Sequence, residues 1–86
     1  VLMTHIGGYP GRYDPSFLRR IESCRPGIVI TGHSHILKVI YDRRHGALHI
    51  NPGAAGKYGF HKVRTAIRLE VDGSAIGSLE VGEWKK

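Results

Sequence analysis

Two histidines separated by a single serine are the residues of this sequence best suited to chemistry. His33 and His35 follow Gly32, which itself follows a short β-branched run. Neutral imidazole is a good ligand for divalent zinc, manganese, iron or nickel. Residues two apart project to the same side of an extended backbone, and in a loop at a strand end they can point towards two neighbouring ions. The pair is a candidate metal site, although two histidines also meet by chance in surface turns.

A third histidine, His5, stands in a similar context. It follows the apolar run 1–4 and opens a loop rich in glycine and proline. The carboxyl ends of strands in an α/β sheet gather at one edge, which is where ligands bind. Three histidines at the ends of two such strands favour metal binding over a chance turn.

The elements that position these residues predict an α/β fold with one helix. Asp14 is the expected N-cap, Pro15 occupies the first turn, and apolar residues at helical spacing continue to about Ser23. Gly27 and the proline before it end the helix. The predicted strands, in chain order, are 1–4, 28–30, 36–41, 47–50, 62–71 and 75–81.

Turns and alternating residues add detail to the predicted strands. Residues 42–46 and Asp72-Gly73 are hairpin turns, and 51–56 is a loop of small residues. The first strand is predicted to be buried. In strand 62–71, one face is predicted to be buried, because apolar residues and a threonine alternate there with polar or small ones. This face consists of Thr65, Ile67, Leu69 and Val71.

Charge and composition limit the class of protein. The chain has 86 residues, enough for one small domain, and its 41% of apolar residues argues against disorder. The net charge of +6 favours anionic partners such as phosphate esters and nucleic acids, or else reflects a piece whose acidic half lies elsewhere. The cation pairs Arg19-Arg20, Arg43-Arg44 and Lys85-Lys86 are scattered, which is weak evidence for a nucleic-acid surface, and the last pair is interpreted as a solvated tail.

The apolar runs and the single cysteine bear on location. No run approaches the roughly 20 apolar residues of a membrane-spanning helix, so no membrane is expected. Cys24 cannot form an internal disulfide, which favours the cytoplasm, and it is predicted to be half-buried at the helix end.

Other polar residues are weaker candidates. His45 and His49 flank a hairpin turn and a strand, where solvated or core positions explain them. His61 could face the mouth of the site, and Asn51 is expected to brace its turn through the side-chain amide. Trp84 is expected to pack over the edge of a sandwich.

The loop beyond His5 leaves two interpretations open. Tyr9, Arg12 and Tyr13 could contact a substrate phosphate or base. A solvent-facing loop is equally consistent with them.

Three segments of the sequence resemble the calcineurin-like metallophosphoesterases, especially the small bacterial and archaeal phosphodiesterases. Ile30-Thr31-Gly32-His33-Ser34-His35 resembles their Gly-His-x-His motif. Met3-Thr4-His5 resembles the preceding single-histidine motif, and Ile50-Asn51-Pro52-Gly53 resembles the Asn-Pro-Gly turn that follows. The resemblance covers nearly the whole chain. It implies part of a four-layer αββα sandwich, mostly strands with one helix, in which residues 1–86 are the carboxy-terminal half of a single domain.

The resemblance also implies a site with two divalent metal ions (Mn, Zn, Fe or Ni). His5 and His33 would bind one ion, and His35 would bind the other. Two such ions activate a bridging water and neutralise charge on phosphoryl oxygens. The implied reaction is hydrolysis of a phosphodiester or phosphomonoester, with a phosphate-ester small molecule or a nucleotide as substrate.

The sequence departs from the family in its carboxylates. The family also uses Asp-x-His, Gly-Asp and Gly-Asn-His-Asp/Glu motifs upstream of the position of His5, and none occurs in this sequence. Asp14, Asp42 and Asp72 stand where a helix cap or a turn is expected. The chain by itself is therefore expected to be inactive, to bind metal weakly, and to pair with a missing amino-terminal half or a second copy.

Two other functions stay open. One is a non-catalytic scaffold of the same fold that binds protein partners, as the retromer subunit of this fold is understood to do. The other is a small basic module that binds nucleic acid without metal. The complete set of histidines favours catalysis.

Overall fold

The computed structural model describes residues 1–73 and 75–85. In this part of the chain the elements are β1 (Leu2–Met3), α1 (Pro15–Cys24), β2 (Ile28–Ile30), β3 (Leu37–Asp42), β4 (Ala47–Pro52), β5 (Val63–Asp72) and β6 (Ala75–Lys85). The predicted α/β class, mostly strands with one helix, is confirmed. Across the described residues, no helix is both long and apolar enough to cross a membrane.

The four shorter strands form a mixed sheet in the order β1-β2-β4-β3. The strands β1, β2 and β4 are parallel, and β3 is antiparallel to β4. Parallel strands place their carboxyl ends at one edge of the sheet, which we call the carboxyl edge. His5, the segment 32–35 and Gly53 follow these three ends, so the topology brings the predicted motifs to the same edge.

Helix α1 covers one face of this sheet. The Asp14 carboxylate accepts a hydrogen bond from the Phe17 N–H at 3.2 Å, which confirms the predicted N-cap. At the other end, Arg25 adopts a left-handed conformation and donates its N–H to the carbonyl of Ile21 at 2.9 Å. Phe17 and Ile21 pack with Tyr13 and Val29 in the core.

The two longest strands, β5 and β6, form a separate antiparallel ribbon. Asp72 lies opposite Ala75, which confirms the predicted hairpin. The ribbon joins the mixed sheet at Thr65, whose N–H donates to the Ala54 carbonyl at 2.8 Å and whose hydroxyl donates to the Pro52 carbonyl at 2.7 Å.

The predicted buried face of β5 is wrong beyond its first residues. Thr65 is buried, Ile67 and Leu69 are half-buried, and Val71 is 53% exposed. Alternation identifies the residues that share a face of a strand, but it does not establish that another layer covers that face. In the described structure the far end of the ribbon extends beyond the mixed sheet.

Several smaller predictions are also wrong. The first strand is not buried: β1 has two residues at the edge of the sheet, and Met3 is 67% exposed. Cys24 is exposed rather than half-buried, because it is the last residue of α1 and the buried contacts of the helix are made by Phe17 and Ile21. Trp84 is 51% exposed and lies over Gly82 of its own strand instead of covering a sandwich edge.

Two predicted boundaries shift. β4 continues through Asn51 and Pro52, which were predicted to begin a loop, because both residues pair with β3. Lys85 is the last residue of β6 rather than part of a tail, and Lys86 lies outside the described residues.

Candidate functional site

The segment Gly32–His35, which we call the histidine turn, has an uncommon backbone. The Ser34 N–H donates to the Gly32 carbonyl at 2.8 Å, and His33 between them has a φ of 70°. A three-residue turn with positive φ at its centre is rare and strained. His35 also has a positive φ, 62°. Two left-handed histidines persist only where their surroundings hold them, and such residues cluster at functional sites.

The side chain of Asn51 holds the histidine turn. This residue is fully buried, and its amide nitrogen donates to the Gly32 carbonyl at 3.3 Å and to the Ser34 hydroxyl at 3.1 Å. Its amide oxygen accepts from the Gly53 N–H at 3.0 Å. The predicted brace is confirmed, and it extends further than expected, since one amide connects the histidine turn to the Asn-Pro-Gly segment.

His5 is connected to the histidine turn through its backbone and its ring. The His5 carbonyl accepts from the Gly32 N–H at 3.0 Å. The His5 and His33 rings lie with centroids 5.0 Å apart and an interplanar angle of 81°. Two imidazoles bound to one zinc ion at the usual bond lengths and tetrahedral angle have ring centres about 5 Å apart. The spacing of this exposed pair therefore fits a shared divalent ion.

His35 lies apart from that pair and contacts His61. Their ring centroids are 5.2 Å apart with an interplanar angle of 87°. The His61 Nε2–H donates to the Gly56 carbonyl at 2.9 Å, which draws the segment 56–61 together. Gly59 in this segment has a φ of 128°, and a Cβ built on it would lie 2.5 Å from Nδ1 of His35. The structure thus places His61 beside the site, as the sequence suggested.

The donors at the carboxyl edge are imidazoles rather than carboxylates. Within residues 1–73 and 75–85, no group of three or more histidine, cysteine, aspartate or glutamate side chains is arranged to hold a metal ion. Asp14 caps α1, and Asp42 binds the His45 ring at 2.7 Å at the opposite edge of the sheet. The site can supply nitrogen ligands to one shared ion and to a neighbouring one, but these residues offer no bridging carboxylate.

A cleft beside His5 provides room for a ligand. Its volume is about 430 Å³, and Met3, Gly32 and Pro52 contribute to its walls together with His5. The cleft lies at the carboxyl edge, where the three parallel strands end. A small ligand placed there would meet His5, one member of the histidine pair.

A buried polar network lies behind the carboxyl edge. His49 is fully buried, and its Nδ1 lies 3.2 Å from the Tyr13 hydroxyl. Its Nε2 lies 3.4 Å from the Thr31 hydroxyl, which donates onward to the Gly8 carbonyl at 3.3 Å. These partners fit a neutral ring with its proton on Nε2. Burial lowers the pKa of His49 and outweighs the opposite effect of Asp42.

The loop beyond His5 is split between core and surface. Tyr13 is buried, and burial together with Asp42 raises its pKa above the ordinary value. It lines a cleft with Asp42 and His45, away from the carboxyl edge. Tyr9 is half-buried, with the Lys38 ammonium 4.6 Å from its ring centre, and Arg12 is exposed. Of the three residues, only Arg12 keeps its side chain open to solvent.

Two aromatic residues near the site were missed by the sequence prediction. Tyr58 and Phe60 are 91% and 105% exposed, and Lys57 and Lys62 stand on either side of them. The available signal was the pair of lysines, Lys57 and Lys62, that flanks the two aromatic residues, because aromatics beside basic residues are a feature of nucleic-acid-binding segments.

Comparison with known proteins identifies the family. The calcineurin-like phosphoesterase superfamily domain matches residues 1–74. The chain belongs to this superfamily. Among solved structures, it is similar to Vacuolar Protein Sorting 29 from Cryptosporidium parvum, with 21% identity and a TM-score of 0.45 over 96% of this chain and 50% of that one. The chain thus spans about half the length of that protein. No curated protein is a significant match.

Proposed function

We propose that this chain supplies the histidine ligands of a metal-dependent phosphoesterase and forms the carboxy-terminal half of its domain. The observation that carries the proposal is the His5–His33 ring pair, 5.0 Å apart at the carboxyl edge of the sheet. These two residues would hold one divalent ion, and His35 would hold a second. When bound, such ions supply a nucleophilic water and neutralise charge on a phosphoryl group. The substrate is a phosphodiester or phosphomonoester.

The remaining residues of the site orient these ligands. Asn51 fixes the histidine turn through its amide, and the Gly32 N–H fixes the backbone of His5. Partners of this kind set the direction in which a metal ligand points and hold it before the metal arrives. The left-handed backbone at His33 and His35 is held in this way by bonds within the protein.

The net charge supports an anionic substrate, and the cysteine content supports a cytoplasmic location. The net charge of +6 attracts anionic substrates such as phosphate esters. A cytoplasmic location is part of the proposal, because the sequence contains one cysteine, Cys24, and therefore no internal disulfide.

The test is hydrolysis of a phosphodiester by the protein expressed from its complete reading frame, with Mn²⁺ added. We expect His33→Ala to lower kcat/KM by about 100-fold or more, since losing a metal ligand removes the charge stabilisation that the ion provides. Activity would be measured with several phosphodiesters and phosphomonoesters.

His45→Ala is the matched control. It removes an imidazole that binds Asp42 at the opposite edge of the sheet, so kcat/KM for the phosphodiester should stay unchanged. An unchanged rate in His33→Ala would show that the assigned role is wrong. Circular dichroism of both variants would establish that each one is folded.

A non-catalytic scaffold is the second candidate. It is favoured by the described residues, which bring no three potential metal ligands together. The same expression experiment separates the two functions. A folded protein that hydrolyses no phosphoester with Mn²⁺, Zn²⁺, Fe²⁺ or Ni²⁺ would favour the scaffold.

A further inference from the structure

The segment 57–62 presents two uncovered aromatic rings. Tyr58 is 91% exposed and Phe60 is 105% exposed, so both rings are as open as in an extended peptide. Large aromatic side chains usually bury much of their surface, which makes an exposed aromatic pair informative. Together they offer flat apolar surface on either side of Gly59.

The segment is anchored on the side that faces the candidate site. The His61 ring contacts the His35 ring at 5.2 Å, and its Nε2–H binds the Gly56 carbonyl. Gly59 approaches His35 so closely that a Cβ there would lie 2.5 Å from Nδ1. The residue between the two aromatics therefore touches a predicted metal ligand.

The segment also carries positive charge, which suits a phosphate group. Lys57 and Lys62 are exposed at its two ends. Aromatic rings with cations beside them bind single-stranded nucleic acids, because the bases stack on the rings and the cations neutralise the phosphates. Lysine is depleted in protein–protein interfaces, so the same charges count against a protein as the occupant.

We propose that Tyr58 and Phe60 form a platform on which a nucleobase stacks while its phosphodiester lies at the histidine site. The inference rests on the proposed function and narrows it: the substrate is a phosphodiester that carries a nucleobase. A free nucleotide and a nucleic-acid strand share this chemistry.

The test compares three phosphodiesters on the protein from the complete reading frame. These are the dinucleotide adenylyl-adenosine, 2′,3′-cyclic adenosine monophosphate, and glycerophosphoethanolamine, which has no base. The Tyr58→Ala/Phe60→Ala double variant should raise KM about tenfold or more for the substrates with a base, as expected for lost base stacking. Its kcat/KM for glycerophosphoethanolamine should stay within about twofold of the wild type, because no ring contact is lost.

The design includes a matched control, and it distinguishes a free nucleotide from a nucleic-acid strand as the substrate. The Tyr58→Phe/Phe60→Tyr variant keeps both rings and should behave as the wild type. A rise in KM for the dinucleotide and the cyclic nucleotide alike supports the platform and indicates a free nucleotide. A rise for the dinucleotide alone supports it and indicates a strand.

Equal losses on all three substrates, or no loss on any, would overturn the platform and leave the proposed hydrolysis standing. If His33→Ala keeps full activity, the proposed function fails. The platform is then tested by measuring nucleotide binding instead of hydrolysis. Adenylyl-adenosine would be titrated in EDTA, where an affinity reduced about tenfold in the double variant supports the platform and an unchanged affinity overturns it.

Discussion

The side chain of Asn51 connects segments that are far apart in the sequence. Its nitrogen reaches the Gly32 carbonyl and the Ser34 hydroxyl, and its oxygen reaches the Gly53 N–H. A buried amide with three partners cannot be replaced without leaving polar groups unsatisfied. The geometry of the histidine turn therefore depends on a residue that contacts neither metal nor substrate in the proposed site.

Replacing this amide should reduce both stability and activity. We expect Asn51→Ala to lower the free energy of unfolding by about 1–3 kcal/mol, because it strands buried donors and acceptors. Ser34→Ala removes one partner of the Asn51 amide and an exposed bond from the Ile36 N–H, and it should cost about 0.5–1.5 kcal/mol. Urea denaturation of the two variants measures both values. A larger loss in Ser34→Ala than in Asn51→Ala would contradict the assignment.

Asn51 also shows where sequence reasoning at the residue scale succeeds and where it ends. The Asn-Pro-Gly segment predicted an amide that braces a local turn, because short polar side chains bind nearby backbone. Its bonds to Gly32 and Ser34 depend on β4 lying beside β2, which is a property of the sheet. The contact of His35 with His61 is likewise tertiary, so the sequence left it as a possibility.

At the scale of elements, α1 is the element that joins the sheet to its core. Ile21 is 1% exposed and Phe17 is 4% exposed, and both pack on the sheet around Val29. Leu18 on the same helix is only half-buried. On this face, the strands that carry the site are therefore supported by α1.

The helix should be sensitive to truncation of its buried side. Ile21→Ala should lower the free energy of unfolding by about 2–5 kcal/mol, since it removes buried methylenes and leaves a cavity. Leu18→Ala is the matched control and should cost less, because its side chain is partly solvated already. Thermal or urea unfolding gives the comparison, and equal losses would show that Ile21 is not a centre of the core.

Element boundaries were predictable where local chemistry sets them. Asp14 as the cap and Arg25-Pro26-Gly27 as the end of the helix are confirmed, because capping and proline act on adjacent backbone. The burial of β1 and of Val71 was predicted wrongly. Apolar alternation describes the strand, whereas burial depends on the layer that packs against it, and sequence pattern alone does not supply that layer.

At the scale of the whole molecule, a neutral histidine is built into the interior. Burial lowers the pKa of His49 from its usual 6.5. The unfolded chain therefore binds a proton at this position more readily than the folded chain does. The stabilising effect of a neutral His49 is complete above about pH 6.5 and is lost as the pH falls below that value.

The free energy of unfolding should accordingly decrease as the pH falls from about 7.5 to about 5. His49→Gln, which keeps hydrogen-bonding groups but does not titrate, should reduce this decrease. Tyr13→Phe is the control, because it removes a hydroxyl and keeps the histidine buried. Urea denaturation across this pH range provides the measurement, and an unaltered pH dependence in His49→Gln would refute the role of this residue.

Asp42 responds in a separate, more acidic range. Burial alone would raise its pKa, but the hydrogen bond and charge of His45 prevail and hold it below the usual 3.8. Its contribution is present above about pH 3.8 and is lost as the pH falls further. The changes between about pH 5 and about pH 7.5 thus do not come from this carboxyl.

The left-handed backbone of the histidine turn has a consequence for how position 33 tolerates replacement. Any L-residue placed there inherits the φ of 70°, and β-branched residues would bear it worst. Glycine alone removes the imidazole and the backbone strain together. The change His33→Gly would remove the ring beside His5 and keep a backbone that suits the turn. Imidazole added from solution then tests the ligand separately from the backbone, because it supplies the lost nitrogen donor without the strained φ.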